Sequence, residues 1–199
     1  MKKIIPFLII FSSLTAYGKY YDATIYLVDG KSKTGLVDSP FGGGNIYFKQ
    51  TTDAEVEEVD ETLVKSIVFI IDGERREYHQ HKVYLGWGQK RISDRPMWLK
   101  VVEKGVATLY IHTTSQQGSI YSTNTAGFED YYCFREGEEA AKLICQISTL
   151  NNNQTFRAKA PLYFADYPEL ATKIKSKEYT WKDLTTVVQE YNKWVEANK

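Results

Sequence analysis

The chain has 199 residues, of which 43% are hydrophobic, 14% aromatic and 25% charged. This composition is typical of a folded protein and excludes a disordered chain, and the length suits one domain or two small ones. The 25 basic and 25 acidic residues balance, so the formal net charge is zero at pH 7. A balanced charge argues against nucleic-acid binding, because that function usually needs a basic surface.

Residues 1–18 have the organisation of a cleavable secretory signal peptide. A short positive start precedes an apolar run over residues 4–11, and the small residues Ala16 and Gly18 fit the two pockets of a signal peptidase. The apolar run is about half the ~20 residues that a membrane-spanning helix needs. We therefore expect cleavage after Gly18, no stable membrane insertion afterwards, and an exported, soluble bacterial protein of the periplasm, the cell surface or the extracellular medium.

The chain after the signal peptide alternates between strand and turn patterns that predict antiparallel β-hairpins. Residues 23–28 end in an Asp-Gly turn and pair with residues 34–37, and a short strand follows at residues 45–49. Residues 63–71 end in a second Asp-Gly turn and have residues 76–87 as their partner.

Two further hairpins complete the predicted β-rich region. Residues 97–103 pair with residues 106–113 across a Lys-Gly turn, and residues 131–135 pair with residues 143–147 around a Glu-Gly-Glu turn. Alternation along residues 106–113 predicts one core-facing set, which consists of Ala107, Leu109 and Ile111.

The hydrophobic period changes to that of an α-helix after residue 150. The last helix begins with Thr180 as N-cap and Asp183 in a capping-box position. An earlier helix begins with Asp166 as N-cap and Glu169 at N3. The apolar stripes that we expect to be buried against the sheet are Leu170 and Ile174 in the earlier helix and Leu184, Val187, Val188, Tyr191, Trp194 and Val195 in the last.

These patterns predict a mainly β fold of the α+β class, with antiparallel hairpins followed by two C-terminal α-helices. Residues 19–150 form the β-rich region, within which a further boundary near residues 88–96 is compatible with the pattern. Residues 151–199 form a helical segment packed on the sheet. The first hairpin, with Gly35 where a strand curves and a later strand over residues 67–71, is similar to the opening of a small SH3-like or Sm-like barrel.

Two stretches resemble a group of uncharacterised exported bacterial proteins. Residues 131–138, Tyr-Tyr-Cys-Phe-Arg-Glu-Gly-Glu, resemble a hairpin of that group. Residues 163–170, Tyr-Phe-Ala-Asp-Tyr-Pro-Glu-Leu, together with the later Tyr191-Asn192, resemble its C-terminal helical signature, in which many members are expected to have Cys where Tyr167 stands. The resemblance implies an exported β-rich protein with a helical tail, and it brings no catalytic residues.

His79 and His81 are the candidate metal ligands. Residues two apart on a strand face the same side, so both imidazoles could approach one ion, with His112 as a third ligand. No His-Glu-x-x-His spacing supports the site, and two histidines that are solvated or hydrogen-bonded to neighbours would give the same sequence.

Cys133 and Cys145 lie on the two strands of the last hairpin. A disulfide between them suits an oxidising compartment, but it needs a pairing that is symmetric about Glu139. A tight turn at Gly137-Glu138 would misalign the two residues, so the sequence leaves open both a disulfide and two separate buried thiols.

Trp87, which lies between two glycines, is the candidate ligand-facing aromatic, with a place in the core as the alternative. The Asn-rich residues 151–153 read as a polar loop. No nucleophile-elbow or phosphate-loop motif is present, and we expect no cofactor. The preferred hypothesis is a non-catalytic binding or scaffolding module whose partner is an envelope protein or a glycan. The alternatives are a metal-dependent or glycan-cleaving envelope enzyme and a protein that binds glycans through Tyr and Trp.

Overall fold

The computed structural model describes residues 20–38, 45–86, 88–114, 128–147 and 152–198. The predicted signal peptide and the side chain of the candidate tryptophan between two glycines lie outside these residues. Within them, twelve strands precede three α-helices, and ten of the strands join one antiparallel sheet. The predicted class, a mainly β fold with helices at the C-terminus, is confirmed.

The strands follow one another as hairpins before the first helix. Their bounds are β1 (Tyr20–Leu27), β2 (Ser32–Asp38), β3 (Ile46–Lys49), β4 (Glu57–Val59), β5 (Val64–Ile71), β6 (Glu74–His81), β7 (Tyr84–Leu85), β8 (Arg91–Ile92), β9 (Met97–Glu103), β10 (Ala107–Thr114), β11 (Phe128–Arg135) and β12 (Lys142–Ile147). The large sheet has the order β12-β11-β10-β9-β6-β5-β1-β2-β3-β4, and β7 pairs with β8 apart from it.

All four predicted hairpins are present, as β1 with β2, β5 with β6, β9 with β10 and β11 with β12. The strand predicted to continue to residue 87 ends at His81, so that prediction is wrong in its second half. The chain leaves β6 there because Val83 forms a parallel bridge with Ala141 beside β12, and β7 then turns back on β8.

The sheet continues from the N-terminal strands to the C-terminal ones. Because β6 pairs with β5 on one side and β9 on the other, it connects the strands before and after residues 88–96. A separate SH3-like or Sm-like barrel is not confirmed, since β1 to β5 are members of the large sheet. Their inward side chains form an apolar core that includes Ile25, Ile67 and Phe69.

Three helices follow the strands, namely α1 (Asn152–Tyr163), α2 (Pro168–Lys175) and α3 (Leu184–Ala197). The helix α1 packs on β12 and α3 packs on β9 and β10, whereas α2 packs on the other two helices. The sequence predicted α2 and α3, whereas α1 occupies a segment whose start was read as a loop. The two Asn residues at its start and Pro161 inside it argue against a helix. No helix in the described part of the chain is long and apolar enough to cross a membrane.

The predicted apolar stripes are buried in a core between these helices and the sheet. Its buried members from the prediction are Ala107, Leu109, Leu170, Ile174, Leu184, Val187, Val188 and Tyr191, with Trp194 and Val195 packed at its border. Ile111 is half-buried. In addition to this core and the N-terminal one, a third core lies on the opposite face of the C-terminal strands and contains Leu99, Tyr110 and Tyr132.

The two predicted helix starts have different outcomes. Thr180 and Asp183 form the predicted capping box, in which the Asp183 carboxylate accepts from the Thr180 N–H at 2.8 Å. The box begins the 3-10 turn Trp181–Asp183, which leads directly into α3 at Leu184. The prediction for Asp166 is wrong, because α2 has Tyr167 as N-cap and Glu169 stands at its second position. The Asp166 carboxylate is turned away from α2 and bonded elsewhere.

Two side-chain amides complete backbone pairing at places where the sheet lacks a neighbouring strand. Gln89 donates from Nε2 to the Leu143 carbonyl at 2.9 Å and accepts from the Leu143 N–H at 3.0 Å. Asn192 of α3 accepts from the Ala107 N–H at 2.8 Å and donates to the Ala107 carbonyl at 3.0 Å. Each amide therefore presents the same donor and acceptor pair as a strand residue.

Candidate functional site

The two candidate metal-binding histidines belong to a polar cluster that spans β6 and β10. His79 Nδ1 lies 2.9 Å from the Tyr110 hydroxyl, and His81 Nε2 lies 3.0 Å from the same oxygen. His79 Nε2 lies 2.8 Å from Glu77 Oε1. The alternation of β6 thus places Glu77, His79 and His81 on one face, opposite Tyr110.

Glu77 fixes the direction of these hydrogen bonds. A carboxylate only accepts, so His79 Nε2 donates to it, and the Nδ1 of a neutral His79 accepts from the Tyr110 hydroxyl. The Tyr110 oxygen then accepts from the Nε2–H of His81. The result is a one-directional chain of hydrogen bonds from His81 to Glu77.

Burial and neighbouring charge set the protonation of this cluster. Burial alone would raise the pKa of Glu77, but hydrogen bonds from Lys104, His79 and Arg75 outweigh it and lower the pKa to about 2. Burial, with repulsion from His79, lowers the pKa of His81 to about 4. Glu77 is therefore ionised and His81 neutral at neutral pH.

The structure does not bring the histidines together as a metal centre. Among the described residues, no group of three or more His, Cys, Asp or Glu side chains is placed to hold an ion. The ring centroids of His79 and His81 are 6.1 Å apart, and both rings are engaged with Tyr110. His112, the predicted third ligand, lies opposite Asp130 in the β10–β11 pair. Tyr110 is only 2% exposed, so it cannot contact a substrate.

Cys133 and Cys145 are free thiols, buried beneath the helices. Cys145 pairs with Tyr131 and Cys133 with Lys142, so the cysteines are diagonal to each other rather than opposite. The chain turns tightly at Gly137, which is the geometry that misaligns them. Of the two alternatives that the sequence left open, the structure therefore has two separate buried thiols and not a disulfide. Burial raises the pKa of both, for Cys145 to about 12, so both are protonated and poorly nucleophilic.

The tryptophans occupy different environments. Trp87, the candidate ligand-facing aromatic, lies outside the described residues. Trp98 is buried in the N-terminal core, and Trp194 stacks on Tyr167 with ring centroids 4.6 Å apart. Trp181 is half-buried and lines an open groove. The groove makes Trp181 the described tryptophan best placed to meet a ligand.

This groove lies where the first turns of α1 meet the turn before α3, and it has a volume of about 650 Å³. Its lining consists of Asn152, Asn153, Gln154, Arg157, Ala158 and Trp181. The Trp181 backbone N–H donates to Asn153 Oδ1 at 3.1 Å, which joins the two segments. Three consecutive amide side chains thus stand beside an indole ring in one concave surface.

The lining combines an apolar ring with planar polar groups. Each amide can both donate and accept hydrogen bonds, and the indole offers a flat apolar face. The Nε of Arg157 is buried and has no hydrogen-bond partner in the part of the chain that the structure describes. The first turn of α1 contains no acidic residue, so no carboxylate there neutralises the positive end of the helix. The groove therefore suits a polar, partly apolar ligand.

The sequence did not indicate this groove. The Asn-rich sequence of residues 151–153 predicts a polar loop. A helix in this segment would place Asn153 and Arg157 one turn apart on the same face. That periodicity was the local signal available. Trp181 follows Asn153 by 28 residues and joins the groove only through the packing of the helices.

The residues quoted for the exported-protein resemblance form a structural contact. The Arg135 guanidinium lies between the rings of Tyr163 and Tyr191, 4.5 Å from each centroid. It also donates to both Asp166 oxygens, at 3.0 and 3.2 Å, and to the Tyr163 carbonyl at 2.7 Å. Tyr191 donates to Asp166 at 2.6 Å. Arg135 therefore fixes β11 to the helices, and this is why Asp166 does not cap α2.

Comparisons with protein-family models, with curated proteins and with solved structures each found no significant match. The ligand of the groove is therefore inferred from the side chains that line it.

Proposed function

We propose that this protein is an exported, non-catalytic module of the bacterial envelope that binds a glycan in the groove between α1 and the turn at Trp181. The observation that carries the proposal is the position of the Trp181 ring beside three amide side chains in one open groove. The signal-peptide pattern of residues 1–18 and the resemblance to exported proteins support its location in the envelope.

The lining matches the two kinds of surface that a sugar ring presents. The C–H groups on one face of a sugar are apolar and stack on an aromatic ring, which offers a large area at small entropic cost. Its hydroxyl groups both donate and accept, as do the side-chain amides of Asn152, Asn153 and Gln154. A protein or peptide partner would be better served by a broader apolar surface than this groove offers.

The same lining supports binding without catalysis. A glycosidase requires a pair of carboxyl groups on either side of the scissile bond. Among the described residues that line the groove there is no Asp, Glu, His or Cys, so these residues provide no general acid, general base or thiol nucleophile. The glycan-cleaving alternative therefore has no support from the groove.

Trp181→Leu tests the proposal, because it keeps an apolar side chain at the turn and removes the ring. We expect it to weaken glycan binding about fivefold, since aromatic contacts contribute ~1 kcal/mol beyond their buried area. Binding is measured by co-sedimentation with purified peptidoglycan and chitin and by calorimetry with soluble neutral and acidic polysaccharides.

Trp194→Leu is the matched control, because Trp194 stacks on Tyr167 rather than lining the groove. It should bind as the wild type does, even though its stability is lower. Failure of the wild type to bind any of these polysaccharides, or equal binding by the Trp181→Leu variant, would contradict the proposed function.

A further inference from the structure

We propose that Arg157 makes the groove selective for glycans that carry carboxylates, such as polymers of uronic acids. This inference rests on the proposed function and adds the class of sugar to it. The first observation is the charge of the lining, because Arg157 is the one charged residue among the six described residues that line the groove. The other lining residues are neutral and do not distinguish an acidic sugar from a neutral one.

Arg157 differs from Arg76 and Arg135, the other partly buried arginines, in having no carboxylate partner among the described residues. The terminal nitrogens of Arg135 are engaged by Asp166 and the Tyr163 carbonyl. The Nε atoms of Arg157 and Arg135 are both buried and without a hydrogen-bond partner in the described chain, so this atom does not distinguish the two residues. The positive charge of Arg157 is therefore the feature that a ligand in the groove can meet.

The shape of the guanidinium favours a carboxylate in particular. The two terminal nitrogens of arginine form a planar pair of donors that fits both oxygens of one carboxylate, which a single hydroxyl cannot match. Such a bidentate pair is charge-assisted and stronger than a neutral hydrogen bond. A uronic acid carries this carboxylate on the same ring whose C–H face can stack on Trp181.

The surroundings of the groove do not offer Arg157 an internal anion. No acidic residue lines the groove, and the first turn of α1 contains none. Asp183, the acidic residue nearest to Trp181 in sequence, already accepts from the N–H and O–H of Thr180. A carboxylate from the ligand therefore meets an uncompensated positive charge.

The experiment compares polygalacturonate with the same polymer after its carboxyl groups are reduced to alcohols. Calorimetry should show that the wild-type protein binds the acidic polymer roughly 10- to 150-fold more tightly, which corresponds to the ~1.5–3 kcal/mol of a charge-assisted bond. Arg157→Gln should lose this preference and keep the weaker binding of the reduced polymer. Arg91→Gln, a change of the same charge at an exposed position of β8, should retain the preference.

The outcomes separate this inference from the proposed function. Equal wild-type affinity for the acidic and reduced polymers, or an unchanged preference in Arg157→Gln, overturns the role of Arg157 and leaves glycan binding in place. Loss of binding to both polymers in Arg157→Gln, with an unchanged unfolding midpoint, also overturns selectivity, because the residue would then serve binding in general. No binding to any polysaccharide refutes the proposed function itself.

Discussion

At the residue scale, the hydrogen-bonded chain from His81 to Glu77 is a closed polar unit in apolar surroundings. The His81 ring packs on Phe134 with centroids 4.2 Å apart, and Tyr110 is almost fully buried. A proton added to His79 goes to Nδ1, which can then no longer accept from the Tyr110 hydroxyl. A proton added to His81 goes to its other ring nitrogen and places a positive charge in apolar surroundings. The cluster therefore stabilises one protonation state of the folded protein.

We expect acidification to destabilise the protein between pH 6.5 and about 4, and His81→Phe to remove part of that loss. The pKa of His81 falls from 6.5 to about 4 on folding, so the unfolded chain binds this proton first as the pH decreases. The stability that neutral His81 contributes is complete above pH 6.5 and is lost as the pH falls through about 4.

Urea unfolding of wild type and variant across that range measures the effect. Glu77, with its pKa lowered from 4.5 to about 2, adds a separate loss only below pH 4.5, so the two contributions occupy different ranges. A His81→Phe variant whose stability depends on pH as steeply as the wild type would contradict the assignment to His81.

At the scale of elements, Asn192 joins α3 to the start of β10. Its amide bonds both backbone groups of Ala107, and Gly105 lies against it so closely that a Cβ at position 105 would overlap the amide. The residue before it, Tyr191, donates to Asp166 at 2.6 Å. Both residues hold the helical layer on the sheet.

Asn192→Ala should therefore reduce the free energy of unfolding by ~2–4 kcal/mol, because it leaves a buried N–H and a buried carbonyl of Ala107 without partners. Chemical denaturation measures the change. Asn198→Ala is the matched control, since Asn198 is exposed near the end of α3 and bonds only the Trp194 carbonyl. Equal stability of the two variants would mean that the Asn192 bonds contribute nothing.

The sequence predicted the hairpins and the last two helices because these elements have local turn and capping signals. It did not predict α1, which lacks such signals. The Asp-Gly turns and the Thr180–Asp183 capping box act within a few residues, so the sequence carries them directly. At Asp166 the tertiary contact with Arg135 overrides the local capping preference. The groove depends on a helix that starts with two Asn residues and on Trp181 from a distant turn. The sequence therefore contained only one local indication of the groove, which is the four-residue spacing of Asn153 and Arg157.

At the scale of the whole molecule, the protein recovered from the envelope and medium of its native host should begin at Lys19 and keep its mass on reduction. The first expectation follows from the signal-peptide pattern, and the second from the diagonal positions of Cys133 and Cys145. Intact-mass spectrometry with and without reductant tests both. An uncleaved chain in the cytoplasm would contradict export, and a mass gain on reduction would contradict the free thiols.

The Gln89 amide limits the association of two copies of this protein through the border of the sheet. An open sheet exposes unpaired backbone groups at its last strand, where a strand of another molecule can add. At β12 that position is occupied by Gln89 on Leu143 and by Lys82 and Tyr84 on Ala141, all within the same chain. At the opposite border, β4 is three residues long and carries two glutamates. Displacement of the Gln89 segment would therefore expose β12 to pairing with another molecule. We expect the result to be aggregation that depends on protein concentration and that precedes any loss of secondary structure.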